Sequence, residues 1–165
     1  SHELKDSLAM PAVVLTSPMR RCVQTAEILF PDTPREIVYG LQECDFGDFE
    51  GKNYAELSGD PAYQAWIDSG GTLAFPGGES RAAFLQRCCQ ALEQALQRQQ
   101  HQTVAAVVHG GTIMAIMSSL TGGDYYDYQV KNGQGYEIEL SIKNNNVQLE
   151  KLTPIAMEEA EEKDK

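Results

Sequence analysis

The sequence predicts an α/β fold: a three-layer sandwich in which a largely parallel sheet is flanked by helices. Three observations carry this. Short apolar runs at residues 12–16, 36–39 and 104–108 alternate with stretches of helical periodicity, the order expected of a parallel sheet covered on both faces. Residues 80–99 place Phe84, Leu85, Cys88, Leu92 and Leu96 along one helical face. Val104-Ala105-Ala106-Val107-Val108 is apolar without a break, which reads as a central strand buried on both sides.

The elements follow in order. Residues 12–16 form a strand, and Ser17-Pro18 has the composition of a helix start, with Ser at the cap and Pro in the first turn. That helix runs to about Phe30, where Pro31 stops it. A strand is expected at 36–39. Residues 40–76 are rich in Gly, Asp and aromatics, an excursion suited to a pocket wall, with short helices near 54–57 and 62–67. Ser80 caps the longest helix. His109-Gly110-Gly111 ends the strand at 104–108, and a helix follows from Thr112 to Leu120. Residues 136–142 and 147–152, joined by Asn144-Asn145-Asn146, read as an antiparallel hairpin. Residues 1–155 are taken as one domain, incomplete at its N-terminus, and 156–165 as an acidic tail. Residues 3–10 read as the end of a helix with no strand before it, so the chain is expected to begin inside a crossover.

Composition narrows the function. With 165 residues, 42% hydrophobic and 22% charged, and a mean hydropathy of −0.37, the chain has the profile of one globular domain. No apolar run approaches the ~20 residues of a membrane span, and residues 1–6 carry no secretory pattern. A net charge of −11 argues against nucleic acid and anionic lipid as partners. Cys22, Cys44, Cys88 and Cys89 lack metal-ligand spacing and read as reduced thiols, which favours the cytoplasm. No cofactor and no metal are expected.

Three segments carry chemistry. Arg21 lies early in the helix after the first strand, at the strand ends where open α/β sheets bind ligands. A guanidinium there can clamp a phosphate, or it can pair with a surface carboxylate. His109-Gly110-Gly111 joins a buried strand to a helix N-terminus, where glycines permit close approach and amides face an anion. A hydrogen-bonded core histidine is the alternative. Residues 41–51 hold several acids among aromatics, and a carboxyl against an apolar wall suits general-acid work. The residues alone leave open which acid that is, Glu43 and Asp45 included.

Together these segments resemble the histidine phosphatase superfamily, the phosphoglycerate-mutase-like group. Its pattern reads Ser-Pro-Leu-x-Arg-Ala-x-Gln-Thr-Ala, Leu-x-Glu-x-x-Phe-Gly-x-Trp-Glu-Gly, Pro-Gly-Gly-Glu-Ser and His-Gly-Gly. All four occur in order, at 17–26, 41–51, 76–80 and 109–111, with Met19, Cys22 and Phe49 as departures. The resemblance implies a phosphoglycerate-mutase-like fold. It implies Arg21 as phosphate clamp, Glu43 as proton donor and His109 as the second active-site histidine, with Arg21, His109 and Gly110 holding substrate. Arg20 falls on a variable position, and Glu79 and Ser80 are read as structural.

The family's nucleophile lies in an Arg-His-Gly after its first strand, and this sequence has none. His2 and His101 do not fit that motif. A strand, loop and part of a helix are therefore expected to be missing upstream, through truncation, a wrong start site or disorder. The fold is expected to lack its first strand, which leaves an unpaired sheet edge and a possible homodimer. The resemblance implies phosphomonoester hydrolysis of a small phosphorylated metabolite through a phosphohistidine, with this chain inactive alone. Its short excursion resembles that of α-ribazole and sugar-phosphate phosphatases more than that of mutases. The competing reading is a non-catalytic phosphate-binding or protein-interaction domain.

Overall fold

The computed structural model describes residues 10–99, 102–144 and 146–155. The readings that fall on residues 1–9 (including His2), on His101, on Asn145 and on the 156–165 tail lie outside them. Strand β1 (Val13–Thr16) is followed by α1 (Arg20–Leu29) and β2 (Arg35–Ile37). The excursion holds 3₁₀ turns at Tyr39–Leu41 and Gly47–Phe49, then α2 (Tyr54–Leu57) and α3 (Pro61–Asp68). Next come α4 (Arg81–Arg98), β3 (Val104–Val107) and α5 (Gly110–Thr121). A 3₁₀ turn at Tyr125–Tyr128 leads to the hairpin β4 (Gly135–Lys143) and β5 (Asn146–Ile155).

The main sheet is parallel in the order β2-β1-β3, and the hairpin is a separate antiparallel pair. Successive strand residues point to opposite faces, and β1 uses this directly. Leu15 packs with Leu41, Phe84, Cys88, Leu92, Ala115 and Ile116 beneath α4 and α5. Val14 packs with Ala26, Leu29 and Phe30 of the α1 layer. The three layers predicted from the sequence are therefore present. No helix among the described residues is long and apolar enough to cross a membrane.

Two expectations are corrected. All four residues of β1 are buried, so β1 is the central strand, whereas β3 pairs only with β1 among the described residues and Ala106 is exposed. An unbroken apolar run records packing against helices and does not count strand neighbours. The second correction concerns the start of α1. Ser17 is fully buried and hydrogen-bonds inward, so the helix begins at Arg20 with Met19 at the cap and no side-chain cap bond. Arg21 thus sits in the first turn. At α4 the expectation holds: the Ser80 side chain accepts from the Ala83 amide at 3.1 Å.

The excursion has a small aromatic core of its own. Phe75 meets the edges of Phe46 and Phe49 and stacks on Trp66, which stacks in turn on Tyr63.

Leu15 is fully enclosed between layers, so Leu15→Ala leaves a cavity and is expected to cost about 2–5 kcal/mol. Ala106→Ser, on the exposed position of β3, is expected to stay within about 0.5 kcal/mol. Urea unfolding of both variants reads the difference.

Candidate active site

The site is built at the C-terminal ends of β1 and β3. Their register pairs Thr16 with Val107, and the Ser17 amide donates to the Val107 carbonyl at 3.2 Å. Pairing therefore continues one residue beyond the strands. It sets Ser17 opposite Val108, one residue before His109, the cap residue of α5, and brings the Ser17 hydroxyl to the His109 ring.

His109 is buried, and both of its ring nitrogens are engaged. Nε2 lies 2.8 Å from Ser17 Oγ and Nδ1 lies 3.1 Å from Arg21 Nη2. A guanidinium only donates, so Nδ1 accepts and the ring proton sits on Nε2, donated to Ser17. Burial holds the His109 pKa below its ordinary value; Glu43 opposes that shift and Arg21 reinforces it. His109 is the neutral Nε2–H tautomer in this arrangement. In this tautomer its one ring N–H is already donated to Ser17.

Cys22 closes the other side of the ring. Its Sγ lies 3.7 and 3.8 Å from the two ring nitrogens and donates to the Val108 carbonyl at 3.6 Å. Desolvation raises the thiol's pKa, so Cys22 stays protonated as packing.

Glu43 arrives from the excursion. Its carboxylate accepts from its neighbour Cys44's amide at 2.9 Å and from the Gly111 amide at 3.2 Å. His109 makes no side-chain cap bond, so Glu43 satisfies one of the unpaired amides that begin α5. The contact depends on the missing side chain of Gly111, where a Cβ would lie 2.1 Å from Glu43 Oε1. Gly110 and Gly111 form the first turn of α5, not a loop before it. Asp45, the other acid considered, is exposed and accepts from the Gly47 amide at 2.9 Å, closing a local turn.

Arg21 is exposed and has no carboxylate partner among the described residues. The surface ion pair considered from the sequence is therefore not made among the described residues. Arg20 is exposed as well, and it makes no side-chain bond among the described residues.

With this geometry in place, comparison with known proteins is informative. The family model described as "Histidine phosphatase superfamily (branch 1)" matches residues 2–153. The chain belongs to that superfamily. A "Putative phosphoserine phosphatase 2" of Hydrogenobacter thermophilus is 29% identical over 114 residues, covering 67% of this chain and 56% of the relative. A glucosyl-3-phosphoglycerate phosphatase of Mycolicibacterium vanbaalenii is 29% identical over 136 residues, covering 76% of this chain and 60% of the relative. The crystal structure of the alpha-ribazole phosphatase from Shigella flexneri superposes with a TM-score of 0.70 at 24% identity. That match covers 90% of this chain and 76% of that one, and it supports the fold alone. The chain thus spans little more than half the length of the curated relatives it matches.

The sequence reading singles out Arg21, Glu43, His109 and the Gly110-Gly111 turn, which the structure brings together. It misses Ser17, although Ser17 opens the first motif, because a serine before a proline reads as a helix cap. It also passes over Arg87, one more cation on a helix, whose five hydrogen bonds are visible only in three dimensions.

Two predictions follow from this geometry. A Cβ at Gly110 meets no atom within 4 Å, whereas at Gly111 it collides with Glu43. Gly111→Ala is expected to displace the Glu43 carboxylate and lower the melting temperature, and Gly110→Ala to leave stability unchanged; thermal melts compare them.

The second concerns pH. The His109 pKa is depressed in the folded state, so its stabilising contribution is fully present above the ordinary value of 6.5 and is lost as pH falls through the folded pKa. His109→Gln is expected to flatten the fall in melting temperature between about pH 7 and 5. An unchanged pH dependence would show that another group carries it.

Proposed function

We propose that this domain forms the phosphate-binding and proton-donating half of a phosphomonoester hydrolase acting on a small phosphorylated metabolite. The observation that supports this best is the meeting of a guanidinium with no carboxylate partner among the described residues, a carboxylate and a helix N-terminus around one imidazole. Arg21 clamps two phosphoryl oxygens, and the first-turn amides of α5 add positive potential. When the anion takes up Arg21, the Nδ1 lone pair of His109 is released. The dianion then favours the protonated ring, which donates to a phosphoryl oxygen.

His109 is poorly suited to attack phosphorus itself, since Nε2 carries the proton shared with Ser17 and Nδ1 is shielded by Arg21. The nucleophile is therefore assigned to a histidine outside the described residues, on a segment that belongs to the whole protein. Its nitrogen forms a bond to phosphorus as the ester oxygen departs, and Glu43 gives that oxygen a proton. Water then attacks the phosphohistidine, losing its proton to the same carboxylate, and phosphate leaves. Arg21, His109 and the α5 amides stabilise the equatorial oxygens in both steps.

Leaving-group dependence tests the acid. In full-length protein, Glu43→Gln is expected to slow alkyl phosphate hydrolysis by about 10²–10⁴-fold and nitrophenyl phosphate hydrolysis far less, because nitrophenolate departs without a proton. Equal losses would return Glu43 to a packing role. Calorimetry tests the clamp. Phosphate binding near neutral pH is expected to take up protons as His109 becomes charged, read as a dependence of the binding heat on buffer ionisation enthalpy. Binding without proton uptake would remove His109 from the proposed site, and absence of binding in Arg21→Met alone would leave the clamp standing.

A further inference from the structure

We infer that Arg87 and Glu79 are positioning residues that hold the Glu43 loop against α5, an inference that rests on Glu43 being the acid. Neither touches the proposed phosphate site. Arg87 lies on α4, two turns after the Ser80 cap, and its side chain reaches under the segment 40–45.

The guanidinium has five N–H donors, and each has a partner. Nε and Nη2 grip Glu79 in a two-point ion pair, at 2.9 and 2.7 Å. Nη1 donates to the carbonyls of Gly40 and Gln42 at 2.8 and 3.0 Å, and the second Nη2 proton to that of Glu43 at 3.2 Å. Three carbonyls within four consecutive residues thus converge on one cation. The chain turns its carbonyls inward toward Arg87, and the Glu43 side chain projects outward to the Gly111 amide.

Glu79 fastens the far end of the same loop. Its Oε1 accepts from the Asp45 amide at 3.0 Å, and its own amide donates to the Asp45 carbonyl at 2.9 Å. The Pro76-Gly77-Gly78 turn completes the join: the Asp48 amide donates to the Pro76 carbonyl at 2.7 Å. Gly47, at φ +54°, lies so close that a Cβ there would be 2.2 Å from that carbonyl. The arginine's hydrogen bonds hold Glu79 below the usual carboxylate range, in keeping with a permanent ion pair. The pair is about three-quarters buried, where a bidentate contact resists screening better than an exposed one.

A loop without repetitive structure has little of its own to fix one side chain to within an ångström. Small displacements of a catalytic group carry large rate penalties. Five directional bonds from a helix supply the missing rigidity. Lysine retains the charge but offers three donors in a different geometry, so it cannot replace this arginine.

The test compares Arg87→Lys, Arg87→Met and Glu79→Gln with Glu43→Gln in the full-length protein. Two readouts are used: the ratio of kcat/KM for alkyl over nitrophenyl phosphate, and amide exchange at Cys44 and Gly111, the two donors to Glu43. The Arg87 variants and Glu79→Gln are expected to lower the ratio by about tenfold or more, part of the span available to a general acid. They are also expected to speed exchange at both amides while those of α4 stay protected. Arg87→Lys retaining the wild-type ratio and slow exchange would overturn the inference, since charge alone would then suffice. If Glu43→Gln leaves the ratio unchanged, the acid assignment fails. Amide exchange then still decides whether Arg87 and Glu79 fix the loop. Loss of α4 protection in Arg87→Met would mark global unfolding, and Arg87→Lys and Glu79→Gln then carry the decision.

Discussion

The pairing of Thr16 with Val107 is the constraint on which the site depends. Two parallel strands in that register end side by side, and the residues just beyond them have no further strand to join. Ser17 follows β1 directly and His109 lies two residues past β3, and their side chains bond to each other. A slip of one position in either strand would turn its side chains to the opposite face. Leu15 would leave the core, and His109 would lose both Ser17 and Arg21. The same hydrophobic alternation that secures the core therefore secures the imidazole, at no separate conformational cost.

Glu43 shows how a flexible excursion is brought to that edge. Its carboxylate completes the start of α5, and the loop behind it is tied to α4. The acid thus bridges the two helices that cover one face of the sheet. The arrangement explains why three glycines cluster there for different reasons. Gly47 and Gly111 admit close contacts that a Cβ would block, whereas Gly110 faces open space. A Cβ at Gly110 would meet no described atom within 4 Å, so no close contact there requires glycine.

Much of this was legible in the sequence because the signals are local. Alternating apolar runs, the Ser80 cap and the hairpin around Asn144 and Asn146 depend on neighbours in the chain, and the described elements formed within a residue or two of their expected places, except that β5 runs three residues past Leu152. What was not legible depends on partners far away. Which strand is the middle one among the described residues was not legible, because Val104–Val107 and Val13–Thr16 are both apolar and only strand order separates them. Ser17 was read as a cap because nothing near it in sequence announces a histidine 92 residues away. Arg87 was overlooked for the same reason: its carbonyl partners lie 44 to 47 positions earlier.

The contrast between Arg87 and Arg21 carries the argument for a ligand further than either does alone. The chain holds 24 acidic residues against 13 basic ones, yet Arg20, Arg21 and Arg81 have no carboxylate partner among the described residues. Arg87, Arg35 and Arg98 each have one. Arg21 is instead held toward a neutral imidazole, a weak acceptor for a cation, and neither Cys22 nor Glu43 pairs with it. Cys22 is kept as a thiol, and the Glu43 carboxylate is directed to Gly111. An acidic surface repels phosphate at long range, but that repulsion is screened beyond about 8–10 Å at physiological salt. Within that distance the local geometry decides, and the proposed function requires Arg21, the α5 N-terminus and the His109 ring to outweigh the repulsion. Net charge by itself therefore does not argue against a single phosphoryl group.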